Sequence, residues 1–285
     1  MKTRFFPIVL LGVIAFSACF SGQEKKESES QNLQDSVTTS EPIAATAPNN
    51  VLYNVEEEVG PTIKQGEEES RPSYKVRIDL NLDNCPEEAL EPVRDKLRYI
   101  FNGKESQSLN EAVMAFGDNI RNTYRASLVE MYTDTTAKLD FAYEFLYEAE
   151  GCITTDSRAD IIPYKLKISS YEGGAHGGYY EQWFNFDRNT GKFLTHDQVF
   201  NMDKEEAIKD IIRQQICVDN QCKDLETLQE TTSILLLGDV FLSDYNFQLG
   251  KDAVEILFNP YEIAPWSAGT IYVKIPYSAL DGLLR

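Results

Sequence analysis

Histidine is scarce in this chain. His176 and His196 are its entire imidazole content, which excludes a three-histidine metal centre and leaves any zinc site dependent on distant carboxylates. Basic residues are also short: 27 Lys and Arg stand against 46 Asp and Glu over 285 residues. Such a deficit repels phosphate backbones and anionic lipid, so nucleic acid is excluded as a partner and a cationic one is favoured. Long apolar runs are missing too. The longest uncharged apolar stretch, Phe5 to Ala18, has fourteen residues, short of the about 20 needed to cross a bilayer. The chemistry-bearing signatures are absent as well. There is no Gly-x-Gly-x-x-Gly phosphate cradle, no Gly-x-Ser-x-Gly elbow and no Ser-x-x-Lys pair, so neither nucleotide binding nor a serine nucleophile is written in the sequence. Asp79-x-Asn81-x-Asp83 opens like a calcium loop, but Asn84 replaces the turn glycine and Leu90 holds the twelfth position, so it fails as one. No internal repeat is present. The expectation is that the chain needs no metal or cofactor and has no catalytic residues of its own.

What is present begins with the short run itself. Lys2 and Arg4 precede it, and it ends in Phe16-Ser17-Ala18-Cys19. A basic start, a short apolar core and small residues before a cysteine make a bacterial lipoprotein signal over residues 1–18, with Cys19 acylated after cleavage. Such a chain resides at the cell envelope, lipid-anchored and extracytoplasmic, with the membrane reached through the lipid only. Without the leader, 25 basic residues face 46 acidic ones, a net charge of −21. Residues 19–72 are rich in Ser, Glu, Gln, Asn, Thr and Pro, too polar to offset chain entropy by burial, and read as a disordered acidic tether. About 50 residues of coil reach roughly 40 Å.

Four cysteines follow Cys19: Cys85, Cys152, Cys217 and Cys222. An even number in an oxidising compartment reads as two disulfides, which allows three connectivities. Cys217 and Cys222 enclose the polar turn Val-Asp-Asn-Gln, so the favoured pairing is Cys217–Cys222 with Cys85–Cys152.

The remainder reads as α+β, with antiparallel sheets, packed helices and two small subdomains, 73–155 and 156–285. Tyr74, Val76, Ile78, Leu80 and Leu82 alternate with polar residues and predict a half-buried strand. Pro86 then opens a helix whose stripe is Leu90, Val93, Leu97 and Ile100, and the capping box Ser108-x-x-Glu111 starts a second. Leu139 to Tyr147 alternates again. In the second block, strands are predicted over 163–170 and 180–187, a helix from about Asp203, a hairpin over 247–258, a strand over 272–275 and a terminal helix over 277–284. Strands and helices do not alternate regularly, which disfavours a doubly wound parallel sheet.

Between two of those strands lies Glu172-Gly-Gly-Ala-His-Gly-Gly178. It is either a wide turn whose backbone requires glycine or a loop that offers His176 to a ligand. Trp183, Tyr261, Trp266 and Tyr272 form either core or a sugar-stacking platform. The candidate ligand-binding residues are therefore Gly173, Gly174, His176, Gly177, Tyr261 and Trp266. His196 follows Thr195 at the helix start Thr195-x-x-Gln198 and reads as a surface first-turn residue.

Three segments together carry a resemblance. Tyr171-Glu-Gly-Gly-Ala-His-Gly, then Asn185-Phe-Asp-Arg-Asn-Thr-Gly-Lys with Val199-Phe200, then Phe258-Asn-Pro-Tyr-Glu-Ile-Ala-Pro-Trp-Ser-Ala-Gly with Ile275-Pro-Tyr resemble the RsiV-type C-terminal domain family over about 163–285. Residues 74–152 resemble, more weakly, the companion domain that precedes it. The resemblance implies an α+β extracytoplasmic module that binds a partner at the envelope, lysozyme being the partner in one branch and peptidoglycan deacetylases carrying the domain in another. The chain shows neither an anti-sigma segment nor a deacetylase module, and the family provides no catalytic residues to carry over. The expected partner is a cationic protein such as lysozyme, or a cell-wall glycan. The alternative is an envelope hydrolase acting on peptidoglycan or an ester through His176 and a carboxylate.

Overall fold

The computed structural model describes residues 49–65, 67–133, 139 and 141–285. The leader, Cys19 and residues up to 48 of the expected tether lie outside them.

The chain is α+β. Its larger sheet has the strand order β1-β4-β5-β6-β7, from β1 (Asn50–Glu58), β4 (Ser73–Asn81), β5 (Glu144–Ile153), β6 (Ile161–Tyr171) and β7 (Gly178–Asp187). A small exposed hairpin, β2 (Ile63–Gln65) with β3 (Glu68–Ser70), interrupts the route from β1 to β4. β4 shows the expected alternation: Tyr74, Val76, Ile78, Leu80 and Leu82 are all buried. Helices α1 (Glu87–Ile100) and α2 (Leu109–Thr133) cover that face. They carry the chain from β4 to β5, so this pair alone in the sheet is parallel and the others are antiparallel. The capping box at α2 is formed: Glu111 N donates to Ser108 Oγ, and Ser108 N donates to Glu111 Oε2 at 2.7 Å.

The smaller sheet has the order β10-β9-β8, built from β8 (Phe247–Leu249), β9 (Ala253–Phe258) and β10 (Ile271–Pro276). It packs with α3 (His196–Val199), α4 (Glu205–Asp219) and α5 (Leu225–Thr231) around a second core that includes Ile208, Ile212, Phe247, Ile256 and Ile275. The expected terminal helix is a single 3₁₀ turn, Tyr277–Leu280, after which Leu284 bridges to Phe200.

Three expectations are corrected. Residues 50–58 are not tether. They form strand β1, in register with β4 from Asn50↔Asn81 to Glu58↔Ser73. Val51, Tyr53, Val55 and Glu57 point inward, a two-residue period hidden by polar composition on the outer face. The inward Glu57 is paired: it accepts from the Tyr74 hydroxyl and from Arg125, as burial of a carboxylate requires. α2 lies close against this strand, since a Cβ on Gly117 would come within 2.7 Å of the Tyr53 ring.

The boundary at 155 is not one either. β5 and β6 pair from Leu146↔Tyr171 to Ile153↔Tyr164, so the sheet runs across it. Tyr164, Leu166, Phe184 and Phe186 belong to the first core.

Finally, Cys85, Cys152, Cys217 and Cys222 are free thiols. Cys85 packs beside the helix-covered core, whereas Cys152 is exposed and is the register partner of Asn81 and Lys165. Sheet alternation puts Cys152 on the opposite face from Gly151 and Ala149, away from Cys85. Cys217 is buried in the second core, while the Cys222 thiol lies near Asn220 O and Thr231 Oγ1. Cys222 N donates to Cys217 O at 2.8 Å, closing the helix end by a backbone bond with Gln221 in the left-handed region at φ 55°.

Candidate functional site

The candidate site is set by the outer edge of β7, which hydrogen-bonds to side chains and loops in place of another full-length strand. Glu181 N donates to Asn259 Oδ1 at 2.7 Å, and Asn259 Nδ2 donates to Glu181 O at 3.1 Å. Trp183 N donates to Tyr245 O. Asn185 Nδ2 donates to Phe247 O, and Leu249 N donates to Asn185 Oδ1, both at 2.9 Å. Two buried amides thus join the sheets by imitating a strand's donor–acceptor pair. Asn259 also begins the loop 259–270, so the loop is fixed beside the β6–β7 turn.

In that turn Gly173 and Gly174 have φ of 86° and 90°, and a Cβ on Gly177 would sit 2.7 Å from Ser170 O. These glycines serve the backbone, which is the wide-turn reading. Their geometry lifts His176 onto the neighbouring loop. Its ring stacks on Trp266, with centroids 4.2 Å apart and planes 16° apart. His176 Nδ1 lies 2.9 Å from Gly177 O, and Nε2 lies 3.1 Å from Tyr261 Oη. A carbonyl only accepts, so Nδ1 carries a proton there, and Nε2 faces the tyrosine hydroxyl. His176, Tyr261 and Trp266 are all exposed, Tyr261 at 58 %. The structure therefore brings these three candidates into one aromatic ledge. Glu172 and Glu262 belong to the same two loops, and burial pushes the Glu262 carboxyl up. Of the other aromatics, Trp183 is buried and Tyr272 is exposed.

Tyr261 is held in an unfavourable backbone state. Glu262 N donates to Asn259 O at 3.1 Å, closing a turn with Pro260 second and Tyr261 third. Tyr261 has φ 71°, where a bulky side chain is strained and glycine is usual. Tyr261→Gly is expected to leave the thermal midpoint unchanged or raise it, since relief of left-handed strain is worth about 1–2 kcal/mol, while weakening capture of any partner on the ledge. A scanning-calorimetry midpoint lowered by several degrees would contradict this.

Beneath the ledge, Glu181 is almost fully buried and accepts from the Tyr179 hydroxyl at 2.9 Å, the Tyr272 hydroxyl at 3.0 Å and Trp183 Nε1. Burial first, then the Glu181 charge, holds Tyr179 well above its ordinary pKa and raises Tyr272 as well. Sequence reading missed Glu181, Asn259 and Tyr179, because 78 residues separate the first two and nothing local marks the pairing.

His196 is not a bare surface residue. The predicted capping box is present, but His196 Nδ1 also lies 2.7 Å from Asp244 Oδ1. The Asp244 bond raises the imidazole above its usual pKa against the cost of burial. Burial pushes Asp244 up, yet its bonds from the His196 ring and backbone keep it below the usual carboxylate range. Lys96 of α1 sits 3.9 Å over the Phe193 ring and donates to Tyr245 Oη at 3.0 Å, and burial lowers its pKa. Because the folded His196 pKa is raised, its stabilisation is complete below the unfolded value of about 6.5 and is lost as pH rises through the folded value. The difference in thermal midpoint between the protein and His196→Gln is therefore expected to be largest near pH 6 and to shrink toward pH 8. A difference that grows with pH would refute the pairing. Among the described residues no group of three or more His, Cys, Asp or Glu could hold a metal ion, and no helix is long and apolar enough to cross a membrane.

Residues 197–278 match the model of a family described as a protein of unknown function, DUF3298. A crystal structure of a DUF3298-family protein from Bacteroides fragilis is similar in fold, with a TM-score of 0.62, 22 % identity and coverage of 83 % of this chain and 94 % of that one. A DUF3298-family protein from Pseudomonas aeruginosa gives a TM-score of 0.50 at 19 % identity, covering 84 % and 95 %. Among curated proteins, the immunogenic proteins MPB64 of Mycobacterium bovis and MPT64 of Mycobacterium tuberculosis are 26 % identical over 121 residues, 42 % of this chain. The chain spans about half the length of these curated relatives.

Proposed function

We propose that this chain is a lipid-anchored, extracytoplasmic binding module of the RsiV type that captures a cationic protein partner at the envelope. The observation that carries this reading is the exposed ledge of Trp266, His176 and Tyr261, set in two loops that also bear Glu172 and Glu262. Exposed aromatic faces suit Lys and Arg side chains, which gain cation–π contacts there. The net charge of −21 without the leader speeds encounter with a basic protein and makes association salt-sensitive. Binding is favoured over hydrolysis because the partners of His176 are Gly177 O and the Tyr261 hydroxyl, where a general base would need an orienting carboxylate and a free Nε2.

Titration of the purified chain with lysozyme by calorimetry tests the reading. Saturable binding is expected at low salt, weaker at physiological salt, and reduced about tenfold or more by Trp266→Ala, as for an interface anchor. Absence of heat at saturating lysozyme removes this partner, and binding indifferent to Trp266→Ala moves the site elsewhere.

A further inference from the structure

A second site lies where the two sheets meet, and there lysines are as numerous as acids. Where β6 and β7 meet β9 and β10, a cleft of about 410 Å³ opens above Trp183 and Glu181, within the range of small-ligand sites. Three lysines line it: Lys165, Lys167 and Lys274. Glu181, Asp219 and Glu255 line it as well, so the acid excess of the chain is locally balanced. The Lys165 ammonium lies 4.2 Å over the Trp183 ring. Neither Lys165 nor Lys167 has a carboxylate at ion-pair distance among the described residues. Lys274 pairs with Glu255 at 3.2 Å. Glu181 is the cross-strand register partner of Lys167, but its oxygens are taken by Tyr179, Tyr272 and Trp183. Lys165 and Lys167 therefore line the cleft with no direct ion pair among the described residues, although acids share its walls.

The other walls narrow the ligand class. Tyr272 is about half exposed and its ring stacks parallel to Trp183, 20° between planes, so its outer face is a surface for a flat or saccharide ring. Glu255 and Asp219 also line the cleft. Their carboxylates accept hydrogen bonds from hydroxyls, and they repel a doubly charged phosphate more than a single carboxylate. A ring with one carboxylate for Lys165 and Lys167, hydroxyls for Glu255 and Asp219, and an apolar face for Tyr272 satisfies all three walls. We infer that this cleft is a binding site for a carboxylated sugar, separate from the aromatic ledge.

The test uses the full chain in a Trp266→Phe background, which leaves Trp183 as the reporter, since the chain has two tryptophans. Sodium glucuronate is expected to shift Trp183 emission saturably, while glucose, which lacks the carboxylate, gives no saturable change. Lys165→Gln with Lys167→Gln is expected to weaken glucuronate at least about tenfold, with circular dichroism and thermal midpoint confirming that the fold is kept. No saturable change with glucuronate up to its solubility limit overturns the inference. So does equal binding of glucose, or an affinity indifferent to the lysine changes. Tighter binding of glucose 6-phosphate than of glucuronate also overturns it, because the site would then select phosphate.

Discussion

Asn185→Ala is expected to cost about 2–6 kcal/mol of stability, since it strands two buried backbone groups at roughly 1–3 kcal/mol each. Asn185 is fully buried, and its amide satisfies Phe247 O and Leu249 N, the backbone of β8. With alanine those groups have neither a protein partner nor access to water. Asn185→Asp is not expected to rescue the loss. It keeps an acceptor for Leu249 N, loses the donor to Phe247 O and buries a charge. Urea unfolding checks both variants: the midpoint should fall with the slope unchanged, which identifies a stability effect rather than a changed unfolded state. An Asn185→Ala protein within about 0.5 kcal/mol of the parent, the range of ordinary surface substitutions, would mean that the amide does not join the sheets.

Replacement of Glu181 is the second large effect. Glu181→Ala removes the shared acceptor of Tyr179, Tyr272 and Trp183. Hydrogen bonds to a charged group contribute about 1.5–3 kcal/mol each. The two tyrosine hydroxyls lie on half-buried or exposed residues and recover water, whereas the Trp183 indole is buried and does not. A net loss of about 3 kcal/mol follows from the one bond that nothing replaces, plus part of the others. The spectroscopic consequence has a definite sign. The Glu181 charge raises Tyr179 and Tyr272 in addition to burial, so its removal should let tyrosinate absorbance appear at lower pH than in the parent. Glu181→Gln keeps an acceptor oxygen and should lose less stability while showing the same direction of titration. Unchanged tyrosine titration in both variants would show that the three donors do not converge on this carboxylate.

Local features were legible because they repeat within a few residues. The alternation from Tyr74 to Leu82, the boxes at Ser108 and Thr195, and the glycine demand of the 172–178 turn each depend on neighbours in the chain, and each is present. β1 was hidden because its inward face includes Glu57, whose burial is tolerable only once Arg125, 68 residues away, arrives beside it. The parallel pairing of β4 with β5 was likewise not readable, since it follows from how α1 and α2 carry the chain across the sheet. The Cys85–Cys152 pairing failed because strand alternation turns Cys152 outward, away from the core that Cys85 borders.

The amino-acid order by itself determined the α+β class, most element positions, the acidic balance and the residue set from which a site can be made. It proposed His176, Tyr261 and Trp266, and the fold stacks or hydrogen-bonds them together. Only the tertiary structure decided that Asn259 and Asn185 finish the edge of β7, that Glu181 is sealed by three donors, and that lysines from separate strands share one cleft. Periodicity reports which way a side chain faces relative to its own backbone, whereas a hydrogen bond or a charge cluster depends on which distant segment lies opposite, and that is fixed only when the whole chain has packed.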